Sequence, residues 1–271
     1  MKSNRKKIKE MERKFKIIML CLPASGHINP MVSLANDLNK SNKCHIIFYG
    51  NLEHKKLIES SRSEFRNIEL VDPTERMNPN QLRNDFPVDI MMQMFMDSYD
   101  KFEPELMRTL EAEDVDMIMY DFLTAYGNWF VQKLKKLKQQ GKLKKKLPKF
   151  VAFYPSFVMD ESLFPNVAEK VYLPKPKLSF KFVLKMLVFA IKYIYFCWSR
   201  SVQLMNPAKF LFPKREELNL CCIIPELQPR SYLYPKSVQF IGSCASEEIR
   251  SVKEFVETWK SFVEPLMRFY P

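Results

Sequence analysis

One histidine and one aspartate stand where a proton could be moved. His27 follows the apolar run of residues 16–22, inside the stretch Pro23-Ala-Ser-Gly-His-Ile-Asn-Pro30. Asp121 ends the run Asp116-Met-Ile-Met-Tyr-Asp. A neutral imidazole can accept a proton from a hydroxyl, and does so best when its pKa lies near the working pH. A position just before a helix helps, because the positive end of the helix dipole disfavours imidazolium. A carboxylate on a neighbouring strand would take the other ring N–H and fix the tautomer, and Asp121 suits that role. Asp116 is the runner-up, but it begins its run rather than ending it. From position alone, a capping or packed loop histidine with no part in catalysis is the competing reading.

The elements around these residues come from the hydrophobic pattern. Short apolar runs at 16–22, 44–49, 67–71, 115–120, 149–154, 221–224 and 238–241 read as strands buried on both faces. Helical spacing fills 52–60, 89–112, 125–138 and 178–200. Asn29 as N-cap and Pro30 at the first helical position predict another helix running to about residue 39. Residues 73–87 read as a loop, and 246–269 as a final amphipathic helix. Strand–helix alternation with short links calls for an α/β fold, a Rossmann-like, mainly parallel sheet with helices on both faces. Ligands of such sheets bind beyond the carboxyl ends of the strands, the edge on which both His27 and Asp121 fall.

Composition narrows the function classes. The 271 residues are 46% hydrophobic, enough for a sizeable core. The net charge of +12 is concentrated in two places. Residues 1–16 carry +6 and residues 132–149 carry +9, leaving the rest slightly acidic. No nucleic-acid recognition motif accompanies either patch, so no nucleic-acid partner is expected. Solvated faces are their commonest role, and attraction to an anionic membrane is the functional alternative. The six cysteines show no zinc spacing, and residues 1–16 lack the apolar core of a secretory signal. A reducing, cytoplasmic setting is expected, with peripheral membrane contact as a further expectation. The apolar segment 178–198 approaches membrane-spanning length, but Lys181, Lys185 and Lys192 interrupt it along one edge.

Three segments, in order and at matching spacing, carry a resemblance. Residues 23–30, residues 116–122 and Pro235-Lys-Ser-Val-Gln-Phe-Ile-Gly-Ser-Cys244 resemble signature regions of the family-1 UDP-glycosyltransferases. The resemblance implies the N-terminal, acceptor-binding half of a GT-B fold. It places the family's catalytic histidine at His27 and its orienting aspartate at Asp121. It implies inverting transfer of a hexose from a UDP-sugar co-substrate to a small lipophilic acceptor, with no cofactor and no metal. The family's donor-binding signature has no counterpart in these 271 residues, so the UDP-sugar is expected to be held by a donor domain outside them. On this reading residues 1–15 form a disordered basic leader, 16–244 the acceptor-binding domain and 245–271 a linker helix toward the donor domain. Apolar residues of 156–200 are expected to shape the acceptor pocket. The alternative is a non-catalytic acceptor-binding protein or subunit that pairs with a separate donor-domain chain.

Overall fold

In the computed structural model, described for residues 13–71, 88–156, 158, 180–204, 216–228 and 230–242, seven strands form one wholly parallel sheet. They are β1 (Phe15–Leu20), β2 (Cys44–Gly50), β3 (Glu64–Asn67), β4 (Met117–Asp121), β5 (Lys149–Tyr154), β6 (Leu218–Cys221) and β7 (Val238–Phe240). The helices are α1 (Ser25–Lys40), α2 (Lys55–Ser60), α3 (Val88–Ala112), α4 (Ala125–Gln139) and α5 (Phe180–Ser199). Residues 1–12 of the expected leader, the loop at 73–87 and the final helix at 246–269 lie outside the described residues, while Phe15, at the end of that leader, opens β1.

The strand order is β3-β2-β1-β4-β5-β6-β7. From β1 the chain steps outward to β2 and β3, then returns to place β4 on the other side of β1 and continues that way. Right-handed crossovers leaving in opposite directions put their helices on opposite faces. The burial pattern shows this residue by residue, because neighbouring side chains on a strand point to opposite faces. Ile18, Leu20, Ile118 and Tyr120 pack with α3, α4 and α5 through Tyr99, Phe102, Trp129 and Phe196. Ile17, Met19, Met119 and Val151 pack with α1 and α2 through Ile28, Met31, Ala35 and Ile58. The sheet is thus covered on both faces, as the strand–helix alternation predicts.

Three boundaries differ from the sequence reading, each for a physical reason. Helix α1 begins at Ser25, not beyond Asn29, because the Ala24 carbonyl already accepts the N–H groups of His27 and Ile28, both at 2.9 Å. Pro30 therefore lies inside the helix, where it forfeits only the bond to the carbonyl of exposed Gly26. Strand β3 lies at 64–67 rather than 67–71. The buried Ile68 and Leu70, flanking exposed Glu69, lie past the strand end, with Leu70 bonded through both backbone groups to the Asn51 side chain at 2.8 and 2.9 Å. Strand β6 lies at 218–221 rather than 221–224, and the polar Asn219 is fully buried within it. The Asn219 amide donates to the carbonyls of Glu216 and Ser237 and its oxygen accepts the Glu216 N–H, which makes that burial affordable.

Helix α4 packs unusually close to β4. A methyl group at Gly127 would lie 2.7 Å from Thr124 Oγ1 and 3.1 Å from the Tyr120 side chain. Thr124 in turn donates its hydroxyl to the Asp121 carbonyl at 2.6 Å. Gly127→Ala is expected to destabilise the domain by about 1–3 kcal/mol through overpacking, and to disturb the turn that carries Asp121. Chemical denaturation checks this: an unchanged midpoint would show that the helix can shift at no cost.

The lysine-rich stretch is partly structural. Lys133 pairs with Glu103 at 3.0 Å, and Lys135 pairs with the buried Glu216 at 2.7 Å while lying over the Phe150 ring. Gly141, at φ +70°, ends α4 in the left-handed conformation that glycine adopts without strain. Lys136, Lys142, Lys144 and Lys146 are exposed.

Candidate active site

The point where the strand order reverses lies between β1 and β4, and there the two sequence-selected residues meet. His27 occupies the first turn of α1, just beyond the carboxyl end of β1, and Asp121 is the last residue of β4. His27 Nδ1 lies 2.5 Å from Asp121 Oδ2. The Asp121 side chain is wholly buried, whereas that of His27 retains 19% of its exposure. With Nδ1 turned to the carboxylate, Nε2 has no hydrogen-bond partner among the described residues. A donor N–H at Nδ1 and a lone pair at Nε2 is the tautomer this contact selects.

The carboxylate is held by several groups that the sequence did not single out. Asp121 Oδ1 accepts the Leu123 N–H at 3.0 Å, and the Asp121 carbonyl accepts both the N–H and the hydroxyl of Thr124. The buried Cys21 thiol donates to Oδ2 at 3.7 Å. Tyr126 Oη donates to the Cys21 carbonyl at 2.8 Å, tying α4 to the end of β1. No motif marks Cys21 or Tyr126; only the parallel register of β1 on β4, which pairs Leu20 with Tyr120, shows that Cys21 must come next to Asp121.

Electrostatics favour a protonatable imidazole. Burial pushes the His27 pKa down, but the charge and hydrogen bond of Asp121 more than offset it, leaving the value above the ordinary 6.5. The lowering expected from the helix dipole is thus outweighed at this position. Burial, reinforced by the Asp121 charge, pushes the Cys21 thiol well up, so it stays a neutral donor.

Asp116, the runner-up carboxylate, is at the opposite edge of the sheet. Its Oδ2 accepts the Lys16 N–H and an Arg13 guanidinium N–H, both at 2.8 Å, so it fastens the start of β1. A concavity of about 840 Å³ also opens at that amino-terminal edge, between residues such as Lys16, His45 and Glu113. The strand polarity of parallel sheets places ligand chemistry at the other edge, so this concavity is not the candidate site. Of the apolar residues expected to shape an acceptor pocket, Phe189, Tyr193 and Phe196 instead join the core, against Trp129 and Tyr99. Residues 157 and 159–179 lie outside the described residues. Among the described residues, no group of three or more His, Cys, Asp or Glu side chains could hold a metal ion.

Comparison with solved structures bears on this arrangement. The glycotransferase of kitacinnamycin superposes with a TM-score of 0.59 over 88% of this chain and 54% of its own, at 16% identity. The calicheamicin glycosyltransferase CalG4 gives the same score over 85% of this chain and 53% of its own, at 12% identity. The chain has a glycosyltransferase fold. Within that fold the GT-B type matches the expectation from residues 23–30, 116–122 and 235–244. Over 128 residues the chain is also 27% identical to the NDP-glycosyltransferase YjiC of Bacillus subtilis (strain 168), covering 45% of this chain and 30% of that protein. No protein-family model matches. The chain thus spans about half the length of these glycosyltransferase structures and less than a third of the curated relative.

Proposed function

We propose that this chain supplies the acceptor half of an inverting UDP-sugar glycosyltransferase, with His27 as general base and Asp121 as the group that orients it. The observation that carries the proposal is the His27–Asp121 contact at the strand-order reversal, with Nε2 unpartnered among the described residues. Nε2 takes the proton of an acceptor hydroxyl as its oxygen forms a bond to the anomeric carbon of the sugar. The bond from that carbon to the diphosphate breaks, and the electron pair leaves on UDP. The imidazolium formed is stabilised by the Asp121 carboxylate, which is the same interaction that raises the His27 pKa. Asp121 stays ionised throughout and relays no proton.

The acceptor in this reading is small and lipophilic. Ala24 and Leu123, close to the pair in sequence, are partly buried apolar residues, which supports a lipophilic acceptor. The sugar nucleotide is held by a donor domain, either in the same polypeptide or in a partner chain. Neither a metal nor another cofactor takes part in this scheme, and the setting is cytoplasmic.

Direct displacement fixes the stereochemistry. A UDP-α-hexose is expected to give a β-linked product with the complete gene product, read by NMR of the purified glycoside. An α-linked product would contradict single displacement with His27 as base. Product formed only when a separate donor chain is added would make this chain a subunit, with the same roles for His27 and Asp121.

A further inference from the structure

Helix α5 is apolar on both of its sides. One side packs into the core through Phe189, Tyr193, Phe196 and Cys197. The opposite side exposes Val183, Leu184, Leu187, Ile191, Ile194 and Trp198, each about half exposed or more. At 100° per residue these six fall within one continuous face. A helix apolar all round is ordinarily covered on all sides, and a contiguous exposed patch of this kind marks an interaction surface.

The charges around the patch say what covers it. Residues 180–204 include four basic residues and no Asp or Glu. Lys185 and Lys192 lie along one edge of the exposed face; Lys185 reaches Asp89 at 2.7 Å, and Lys192 is exposed. Arg200 lies beyond the helix end and pairs with Asp100 at 2.8 Å. The turn after α5, Ser201–Gln203, adjoins Lys135 and Lys136 of α4, which begins the lysine-rich stretch. Lys135 is held by Glu216, whereas Lys136 is exposed at that end. Tyr195 and Trp198, the residues that favour the boundary between lipid and water, lie on the exposed side. A second copy of the chain against this face would bring lysine edges together. An anionic lipid surface complements them instead.

We infer that the outer face of α5 lies in the interface of an anionic membrane, its apolar side chains among the acyl chains and its lysine rim on the headgroups. No helix among the described residues is long and apolar enough to cross a membrane, so α5 lies along the surface. The inference does not rest on the proposed chemistry, since neither His27 nor Asp121 takes part in it.

Sedimentation of the full chain with phosphatidylcholine vesicles, with and without phosphatidylserine, tests it. Binding is expected for the anionic vesicles and is expected to weaken as salt is raised. Ile191→Ser and Trp198→Ser, both at exposed positions, are each expected to weaken binding about tenfold. Lys192→Gln and Lys136→Gln are each expected to weaken it about fivefold on anionic vesicles alone. Circular dichroism of each variant separates lost binding from lost folding. Absence of binding to anionic vesicles overturns the inference. So does binding that survives Ile191→Ser and Trp198→Ser, or a self-association that these variants abolish while vesicle binding is absent.

Discussion

Replacing His27 is expected to lower glycosyl transfer by about 10²–10⁴-fold, the usual contribution of a positioned general base. The choice of substitution matters, because Asp121 is wholly buried. Alanine would leave that carboxylate with the Leu123 N–H and the Cys21 thiol only, and an underpaired buried charge costs about 3–5 kcal/mol. Glutamine keeps an N–H donor within reach of Oδ2 but cannot take a proton. His27→Gln should therefore fold nearly as well as the native chain and lose activity in kcat more than in KM. Loss of activity in step with loss of folded protein would show a structural role instead.

The second large effect is expected from Asp121→Asn, which is nearly isosteric. The asparagine oxygen can still accept the Leu123 N–H, but its NH2 then faces His27 Nδ1. That contact favours the tautomer with the proton on Nε2, where it blocks proton acceptance, and a loss of up to about 10⁴-fold follows. A pH profile distinguishes this from general damage. If His27 is the base, the native protein should gain activity as pH rises through the His27 pKa, which Asp121 holds above the ordinary 6.5. In Asp121→Asn only burial remains to act on the imidazole, so the pKa falls and the acid limb moves to lower pH. The stability linkage has the same origin. A pKa raised on folding contributes stability that is complete below about 6.5 and is lost as pH rises through the folded value. Asp121→Asn should abolish that slope and, with the folded pKa now below 6.5, reverse its sign in denaturation midpoints measured across this range. An unchanged acid limb and slope would mean that the carboxylate does not govern His27.

Much of this arrangement is legible in the amino-acid order, and the exceptions are informative. The strand at 149–154 and the helix at 125–139 follow from the apolar pattern because the strand is almost wholly buried and the helix buries its first two turns and Leu134. Strands β3 and β6 are displaced because an apolar run reports burial, not membership of a hydrogen-bond ladder. At β3 the ladder residues Glu64 and Arg66 carry charge, and Arg66 is paired with Glu64 and Glu113 at the sheet margin. At β6 the buried Asn219 is satisfied by carbonyls that no local pattern predicts.

The same distinction holds at the site. His27 and Asp121 are visible because each follows an apolar run at the ligand edge, and the structure brings them together. Asp116 is of the same residue type but begins its run, which sends it to the other edge. Cys21, Thr124 and Tyr126 are ordinary residues in sequence and become supports only through the register of β1 on β4 and the close approach at Gly127.

The most direct measurement is the rate of hexose transfer by the complete gene product from UDP-sugars to a hydroxyl-bearing lipophilic acceptor, native protein against His27→Gln. Turnover by the native protein with a loss of at least about 10²-fold in a folded His27→Gln variant is the predicted result. Full turnover by that variant would contradict the assignment of His27 as the base.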